Sequence, residues 1–239
     1  MEKALVIIPT YNELENIKKI VETTLINKAF DILVVDDSSP DRTAELVLEL
    51  IKDHPKRLFL EQRQRKEGLG KAYIHGFKWA LERKYDYIFE MDADFSHNPK
   101  ELSPMLFHLQ SSYDMVIGSR YIKGINVVNW PLSRILLSYF ASVYVRCITL
   151  MPIRDPTAGF VGYKKEALEK LDFEKIKFVG YAFQIEMKFK LWKKGLKYIE
   201  YPIIFTNRSF GVSKMNGEII WEALPAVLIL RIRSIFNRI

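Results

Sequence analysis

Two rhythms of hydrophobic and polar positions run through the first half of the chain. Short, nearly unbroken apolar runs at residues 4–8, 31–35, 57–61, 87–90 and 115–118 predict strands, the first of them stopped by Pro9. Between them lie helix-favouring segments at about 12–25, 41–51, 69–83 and 99–110, with Asp41 as a candidate cap for the second. Strands alternating with helices imply parallel βαβ units in a doubly wound α/β sheet. The second half breaks the rhythm. Residues 131–150 read as an apolar or amphipathic helix, 160–163 as a strand, 165–171 and 181–194 as helices, and 197–204 as a strand. A polar loop at 207–216 precedes a last helix at about 217–238.

No apolar stretch reaches the ~18–20 residues that a bilayer span requires. Two helices instead combine bases with apolar faces. Trp130 and Arg134 flank Ile135, Leu136, Leu137, Tyr139 and Phe140, and the run from Ala223 to Leu230 ends in Arg231 and Arg233. Such helices suit a membrane interface; the competing reading packs them on the core or on a partner subunit.

Composition narrows the picture. The 239 residues, 49% hydrophobic, suit one domain with a large core. A single cysteine, Cys147, excludes an internal disulfide framework and a multi-cysteine zinc site, and its apolar surroundings predict a buried, inert thiol. The chain enters a strand almost at once, without a basic region, apolar core and cleavage site, so no secretory signal and a cytosolic face are expected. A net charge of +7 suits nucleic acid, an anionic membrane or phosphorylated ligands. Because the bases are scattered among carboxylates instead of forming a stripe with interleaved aromatics, nucleic acid is not expected.

The chemistry gathers at three strand ends: Pro9-Thr10-Tyr11-Asn12-Glu13, Asp36-Asp37-Ser38-Ser39-Pro40-Asp41, and Asp92-Ala93-Asp94. In parallel βαβ topology these loops share one edge of the sheet, where open α/β sheets bind ligands. Tyr11 can stack on a base and Asp37 can accept from base N–H groups. Asp92 and Asp94 can hold a divalent cation, since Mg²⁺ takes few protein carboxylates and completes its shell with water and phosphate. Gly68-Leu69-Gly70-Lys71-Ala72 lacks the spacing and hydroxyl of a phosphate loop and reads as a helix-opening turn. Arg120 follows the fifth strand, Arg134 and Ser138 lie one helical turn apart, and Arg208 and Lys214 sit in the late polar loop; together they can hold phosphate groups.

The ordered runs VIIPTYNE, VVDDSSPDRT, MDADFSHNP, IGSRYIKG, WPLSRILLS, RDPTAGF, GYAFQIEM and NRSFGVSKM resemble the dolichol-phosphate (polyprenyl-phosphate) mannose synthases, members of glycosyltransferase family 2. The resemblance covers about residues 4–217; its first three motifs are general to the family and the later ones more specific. It implies a glycosyltransferase-A (Rossmann-like), mostly parallel sheet flanked by helices, and transfer of mannose from GDP-mannose to dolichyl or polyprenyl phosphate with inversion. The competing activity is transfer of glucose from UDP-glucose to the same acceptor. The resemblance places Pro9, Tyr11, Glu13, Val35 and Asp37 in the nucleotide site, and Asp92, Ala93 and Asp94 at the diphosphate, with Asp92 and Asp94 holding Mg²⁺ or Mn²⁺. Arg120, Arg134 and Ser138 correspond to residues that hold the acceptor phosphate, and Arg208 and Lys214 to a loop over the donor. Gln184 and Glu186 fall where other family members place a catalytic carboxylate, and here positioning roles are expected. The chain departs from some relatives at Ser96 and Ala182, where they carry glutamine and lysine. It implies one catalytic domain over residues 1–239, with a nucleotide-binding half (about 1–118), an acceptor half (119–217) and a C-terminal amphipathic helix. Such an enzyme is a peripheral membrane protein of the cytosolic face, at the endoplasmic reticulum of a eukaryote or the plasma membrane of a prokaryote. Small membrane-anchoring partner subunits accompany some relatives.

Overall fold

The computed structural model describes residues 2–207 and 217–236. The first half follows the predicted rhythm: β1 (Ala4–Thr10), α1 (Leu14–Leu25), β2 (Phe30–Asp36), α2 (Thr43–Asp53), β3 (Leu58–Gln62), α3 (Leu69–Glu82), β4 (Tyr87–Glu90), α4 (Leu102–Ser111) and β5 (Met115–Ser119). The second half adds β6 (Val127–Val128), α5 (Leu132–Thr149), β7 (Val161–Lys164), α6 (Lys165–Glu169), α7 (Tyr181–Lys193), β8 (Tyr198–Pro202), β9 (Phe205–Thr206) and α8 (Gly217–Ile235).

The main sheet has the order β3-β2-β1-β4-β7-β5-β8. All its pairs are parallel except those of β7, which runs antiparallel to both β4 and β5. The sheet is therefore mostly parallel, as the alternation implied, with one reversed strand in its interior. The pairing is close: a Cβ on Gly162 of β7 would meet Phe89 Cε1, with Phe89 Cδ1 at 2.8 Å and Val116 Cγ1 at 2.9 Å. A short parallel ribbon of β6 and β9 lies outside this sheet.

Both faces of the central strands are covered, which is why β1 and most of β2 read as apolar runs; the edge strands β3 and β8 are only partly buried and carry Glu61 and Glu200. Leu5, Ile7, Leu33 and Val35 point into one core with Phe77 of α3 and Phe183 and Phe189 of α7. Val6, Ile8, Ile32 and Val34 point into the other with Ile17 and Ile20 of α1, Val47 of α2 and Met105 of α4. Neighbouring strand residues thus serve opposite cores, as the period of two dictates. The helices follow their own period, as in α1, where Ile17, Ile20, Val21, Thr24 and Leu25 are the buried positions of two successive turns. Truncating a wholly buried ring such as Phe77 to alanine would cost about 3–5 kcal/mol.

Helix α8 packs against α5 and α7, and the Tyr144 hydroxyl donates to the Leu224 carbonyl at 3.1 Å. The outer side of this layer stays apolar: Leu132, Leu136, Phe140, Ile232, Ile235 and Phe236 are all exposed. Among the described residues no helix is long and apolar enough to cross a membrane.

One expectation fails here. Cys147 is exposed, not buried. Seven and eleven residues after Phe140 and Leu136, it falls on the outward side of α5, so its apolar neighbours in sequence are not its cover in space.

Candidate active site

Parallel pairing brings the ends of β2, β1 and β4 side by side. Thr10 is in register with Asp36, and Ile7 with Glu90. The first two loops are then sewn together by side chains. Thr10 Oγ1 donates to Asp36 Oδ2 at 2.8 Å, and the Asp37 amide donates to the Thr10 carbonyl at 3.0 Å. The amides that lead into α1 are satisfied from the second loop and the start of α2. Asn12 N donates to Ser39 Oγ (3.1 Å), Glu13 N to Thr43 Oγ1 (3.1 Å) and Leu14 N to Asp41 Oδ2 (3.0 Å). Asp41 also accepts the Thr43 amide at 3.0 Å, but the cap position of α2 is Arg42, one residue later than the sequence suggested.

This stitching divides the roles of the paired aspartates. Asp36 is wholly buried and holds the turn through Thr10 and through Ser39 N and Oγ. Asp37 meets Arg63, whose Nη1 lies 2.9 Å from Oδ1, and Arg63 reaches on to Glu67 at 2.9 Å. Burial pushes the Asp37 carboxyl up from its ordinary value, and the Arg63 charge opposes that rise. Lys66 places Nζ 4.1 Å from the centre of the Tyr11 ring, so the face expected to receive a base carries a cation. Asn12, Ser38 and Phe95, one in each of the three loops, hold left-handed backbone angles of +57°, +57° and +61°. Such conformations cost about 1–3 kcal/mol each and concentrate at functional sites. Glu13 is buried and accepts from Asn16 Nδ2 at 2.9 Å; Val35 is wholly buried in the core beneath the loops.

The third loop carries the acidic pair. Asp94 is buried and its Oδ1 accepts the Ser96 amide at 3.0 Å, while the Asp92 side chain remains 38% exposed, with the Tyr73 hydroxyl at 3.5 Å from Oδ1. Ala93 is buried between them. His97 folds back beneath the turn: its Nδ1 accepts the Asp92 amide at 3.2 Å, which places the ring proton on Nε2. Burial against Phe160, stacked 4.9 Å away, pushes the His97 pKa down to about 4, so the imidazole is neutral at pH 7.

A cavity of about 160 Å³ joins this turn to Arg120 and the α5 residues. Asp92, His97, Arg120, Arg134, Ser138 and Gln184 all line it. Arg120 is held by Asp155: Nε donates to Oδ2 at 2.8 Å, Nη2 to Oδ1 at 2.6 Å, and Nη2 also to Thr157 Oγ1 at 2.8 Å. Burial alone would push the Asp155 carboxyl up; the Arg120 charge and hydrogen bonds outweigh it and hold it below its ordinary range. Arg134 stacks on Trp130, 3.9 Å from the ring centre, and donates to Asn207 Oδ1 at 3.2 Å. Ser138 accepts from the Tyr121 hydroxyl at 2.7 Å. Beyond these polar groups the wall turns apolar, with Leu137, Ala141, Val145, Leu224 and Val227 from α5 and α8.

The sequence profile described as Glycosyl transferase family 2 matches residues 5–172, well over half of the chain. The chain belongs to glycosyl transferase family 2. It is 45% identical to a polyprenol monophosphomannose synthase of Mycolicibacterium smegmatis, covering 99% of this chain and 90% of that protein. It is 41% identical to an undecaprenyl-phosphate mannosyltransferase of Micrococcus luteus (94% and 92% covered). A dolichol-phosphate mannosyltransferase of Pyrococcus furiosus is 37% identical, with 93% of this chain and 62% of that protein covered. Among solved structures, a glucosyl-3-phosphoglycerate synthase from Mycobacterium tuberculosis superposes with a TM-score of 0.72 at 14% identity, covering 96% of this chain and 80% of that one. A mannosyltransferase from Pyrobaculum calidifontis, solved in complex with GDP-Man and Mn²⁺, gives 0.59 at 16% identity, over 99% and 72%. These likenesses show a glycosyltransferase-A-like α/β fold.

In this family 2 glycosyltransferase the structure brings Asp92, Arg120, Arg134 and Ser138 around one cavity, and sets Tyr11, Glu13 and Asp37 on the adjoining loops. Pro9 does not stop the first strand as expected: it pairs with Val35 inside β1, which runs on to Thr10. Arg208 and Lys214 lie outside the described residues. The sequence offers no role for Arg63, Lys66, His97 or Asp155, and places Trp130 only at the flank of a candidate interfacial helix, not beneath Arg134. His97 and Asp155 stand inside the runs MDADFSHNP and RDPTAGF, which was their only signal. Glu186 takes a structural role: its Oε2 accepts the amides of Lys177 (2.9 Å) and Phe178 (3.0 Å), and it pairs with Lys190 at 3.0 Å. Gln184, two residues away, is the member of that pair that reaches the cavity.

Proposed function

We propose that this chain transfers mannose from GDP-mannose to the phosphate of a dolichyl or other polyprenyl phosphate, with inversion at the anomeric carbon. The observation that carries this reading is the single cavity that runs from Asp92, past Arg120, Arg134 and Ser138, to an apolar wall. An anionic head and a hydrocarbon tail belong in such a space together. The names of the relatives, all mannosyl-phosphoprenol enzymes at 37–45% identity, support the same donor sugar and acceptor.

A phosphate monoester has a second pKa near ~6, so most of it is dianionic at pH 7 and its oxygen attacks without a general base. That oxygen forms the new bond to C1 of mannose while the bond from C1 to the diphosphate breaks, and GDP leaves with the electron pair. Arg120, fixed by Asp155, and Arg134, fixed by Trp130, aim the attacking phosphate; Ser138 adds a hydroxyl. Tyr11 offers the base a stacking surface, and Asp37 an acceptor for base N–H groups. The donor set fits Mg²⁺ or Mn²⁺. The Asp92 and Asp94 carboxylates on one turn would supply oxygen ligands, and donor phosphates and water would fill the remaining positions. Among the described residues no cluster of three or more His, Cys, Asp or Glu competes as a metal site. Bound there by Asp92 and Asp94, the ion would neutralise charge on the departing diphosphate. The exposed apolar side of α5 and α8 would rest on the cytosolic leaflet, where the acceptor phosphate emerges, with or without small anchoring subunits.

The test is transfer of radiolabelled mannose from GDP-mannose to a short polyprenyl phosphate in detergent, with and without divalent metal. UDP-glucose serves as the competing donor. Transfer should require GDP-mannose and metal and should fall roughly a hundredfold or more in Asp94→Asn. Full activity of that variant in EDTA would refute the metal role, and preference for UDP-glucose the donor.

A further inference from the structure

Helix α5 borders a second cavity, of about 240 Å³, lined by Tyr121, Tyr139, Ser142, Val143, Arg146 and Arg154. Positions 139, 142 and 146 recur at helical spacing and face this space, whereas 134, 138, 141 and 145 face the catalytic cavity. The exposed apolar residues Leu132, Leu136 and Phe140 lie on the outward side of the same helix. Tyr121 links the two cavities: it lines the second, and its hydroxyl donates to Ser138, which lines the first.

Arg146 and Arg154 are both exposed, and among the described residues neither guanidinium enters an ion pair or hydrogen bond. The β8 acid Glu200 is committed to the backbone, accepting the amides of Arg154 at 2.8 Å and Asp155 at 3.0 Å. No carboxylate lines the cavity. Two arginines without an ion pair among the described residues, tyrosine and serine hydroxyls, and an adjoining apolar stripe match the head group of a membrane lipid.

We propose that the Arg146–Arg154 cavity binds the phosphate of an anionic phospholipid, whose acyl chains lie along Leu136 and Phe140. This rests on the reading that α5 meets the membrane surface. The site is not a second acceptor site, because no acidic turn lines it and a phosphate held there has no sugar donor to attack. Its effect is positional. A phospholipid seated on one flank of α5 fixes the helix in the leaflet, so that the other flank presents Arg134 and Ser138 to the incoming acceptor.

The experiment is calorimetric titration of the intact protein with monomeric dihexanoyl-phosphatidylglycerol, paired with flotation on phosphatidylcholine vesicles with and without phosphatidylglycerol. Wild type should show saturable binding of the short lipid. Arg146→Gln/Arg154→Gln should abolish it and lower partitioning onto the anionic vesicles roughly thirtyfold, at ~1 kcal/mol per lost arginine. Both side chains are exposed, so the fold should survive the change. Mannosyl transfer in detergent should be unchanged. Arg134→Gln should keep lipid binding while losing transfer. Equal binding by the double variant, or an equal loss in Arg231→Gln/Arg233→Gln on α8, would overturn the proposal. So would inorganic phosphate binding as tightly as the lipid, which would make this a free-phosphate site. Lipid binding requires no sugar donor, so failure of this test and failure of the transfer reading are separately visible.

Discussion

Arg120 and Asp155 form a two-point pair, Nε to Oδ2 at 2.8 Å and Nη2 to Oδ1 at 2.6 Å, and the Arg120 amide donates to the same carboxylate at 2.9 Å. The aspartate is wholly buried, so removing its charge strands the guanidinium. Asp155→Asn should lower stability at pH 7 by about 3–5 kcal/mol and depress transfer through misplacement of Arg120. The pH dependence has a fixed sign. A carboxyl held below its ordinary value contributes stability above that value, about 3.9, and loses it as pH falls further through the folded one. The difference in urea midpoint between wild type and Asp155→Asn should therefore close below about pH 4.

Tyr11 carries the Lys66 ammonium at 4.1 Å. Base stacking contributes about 1–3 kcal/mol, so Tyr11→Ala should raise the donor KM by roughly five- to a hundred-and-fiftyfold with a smaller change in kcat. Lys66→Ala separates two uses of the cation. A lower donor KM would mean that Lys66 shields the ring from the base, and a higher one that it binds the donor. Steady-state kinetics in GDP-mannose at saturating acceptor reads both.

Lys188 is wholly buried and donates to the Ala158 carbonyl (2.6 Å), the Gln184 carbonyl (3.2 Å) and Gln184 Oε1 (2.9 Å). Gln184 passes the connection to Glu90 through its amide, and the Tyr163 hydroxyl meets the other Glu90 oxygen at 3.1 Å. Burial pushes the Glu90 pKa up to about 7 and the Lys188 pKa down to about 8. Lys188→Met should therefore leave Glu90 without its cation and drive it to take up a proton. The expected cost is about 3–5 kcal/mol in chemical denaturation, with transfer reduced because Gln184 loses its orientation at the cavity.

Gly162 has no room for a methyl group between Phe89 and Val116. Gly162→Ala should cost about 1–3 kcal/mol by overpacking, visible as a lower thermal midpoint. An unchanged midpoint would mean that the Phe89 ring moves aside freely.

The strands of the first half were legible because burial on both faces leaves a continuous apolar run, as in Val6-Ile7-Ile8. The acidic and aromatic loop residues were legible because parallel topology alone puts strand ends together. The partners of those residues were not. Arg120 and Asp155 stand 35 positions apart, and Arg63 and Asp37 stand 26 apart, and no periodicity links either pair. The two-residue strands β6 and β9 are too short to carry a pattern. The exposure of Cys147 is not legible because local composition ignores helical phase: Val145 turns into the core while Cys147, two residues on, does not.

The reversed strand β7 has a consequence for synthesis. Strands β4 and β5 are made first, yet they are joined only through residues 161–164, with Glu90 and Ile117 both opposite Val161. While α5 is still being made, the emerging chain carries two strand edges that its own sequence cannot yet cover. Late closure of this kind makes folding slow, since the loop must be ordered before the pairing rewards it. The central seam of the sheet can close only once the chain through Lys164 has been made, so β4 and β5 wait on a strand more than 40 residues later for their common partner.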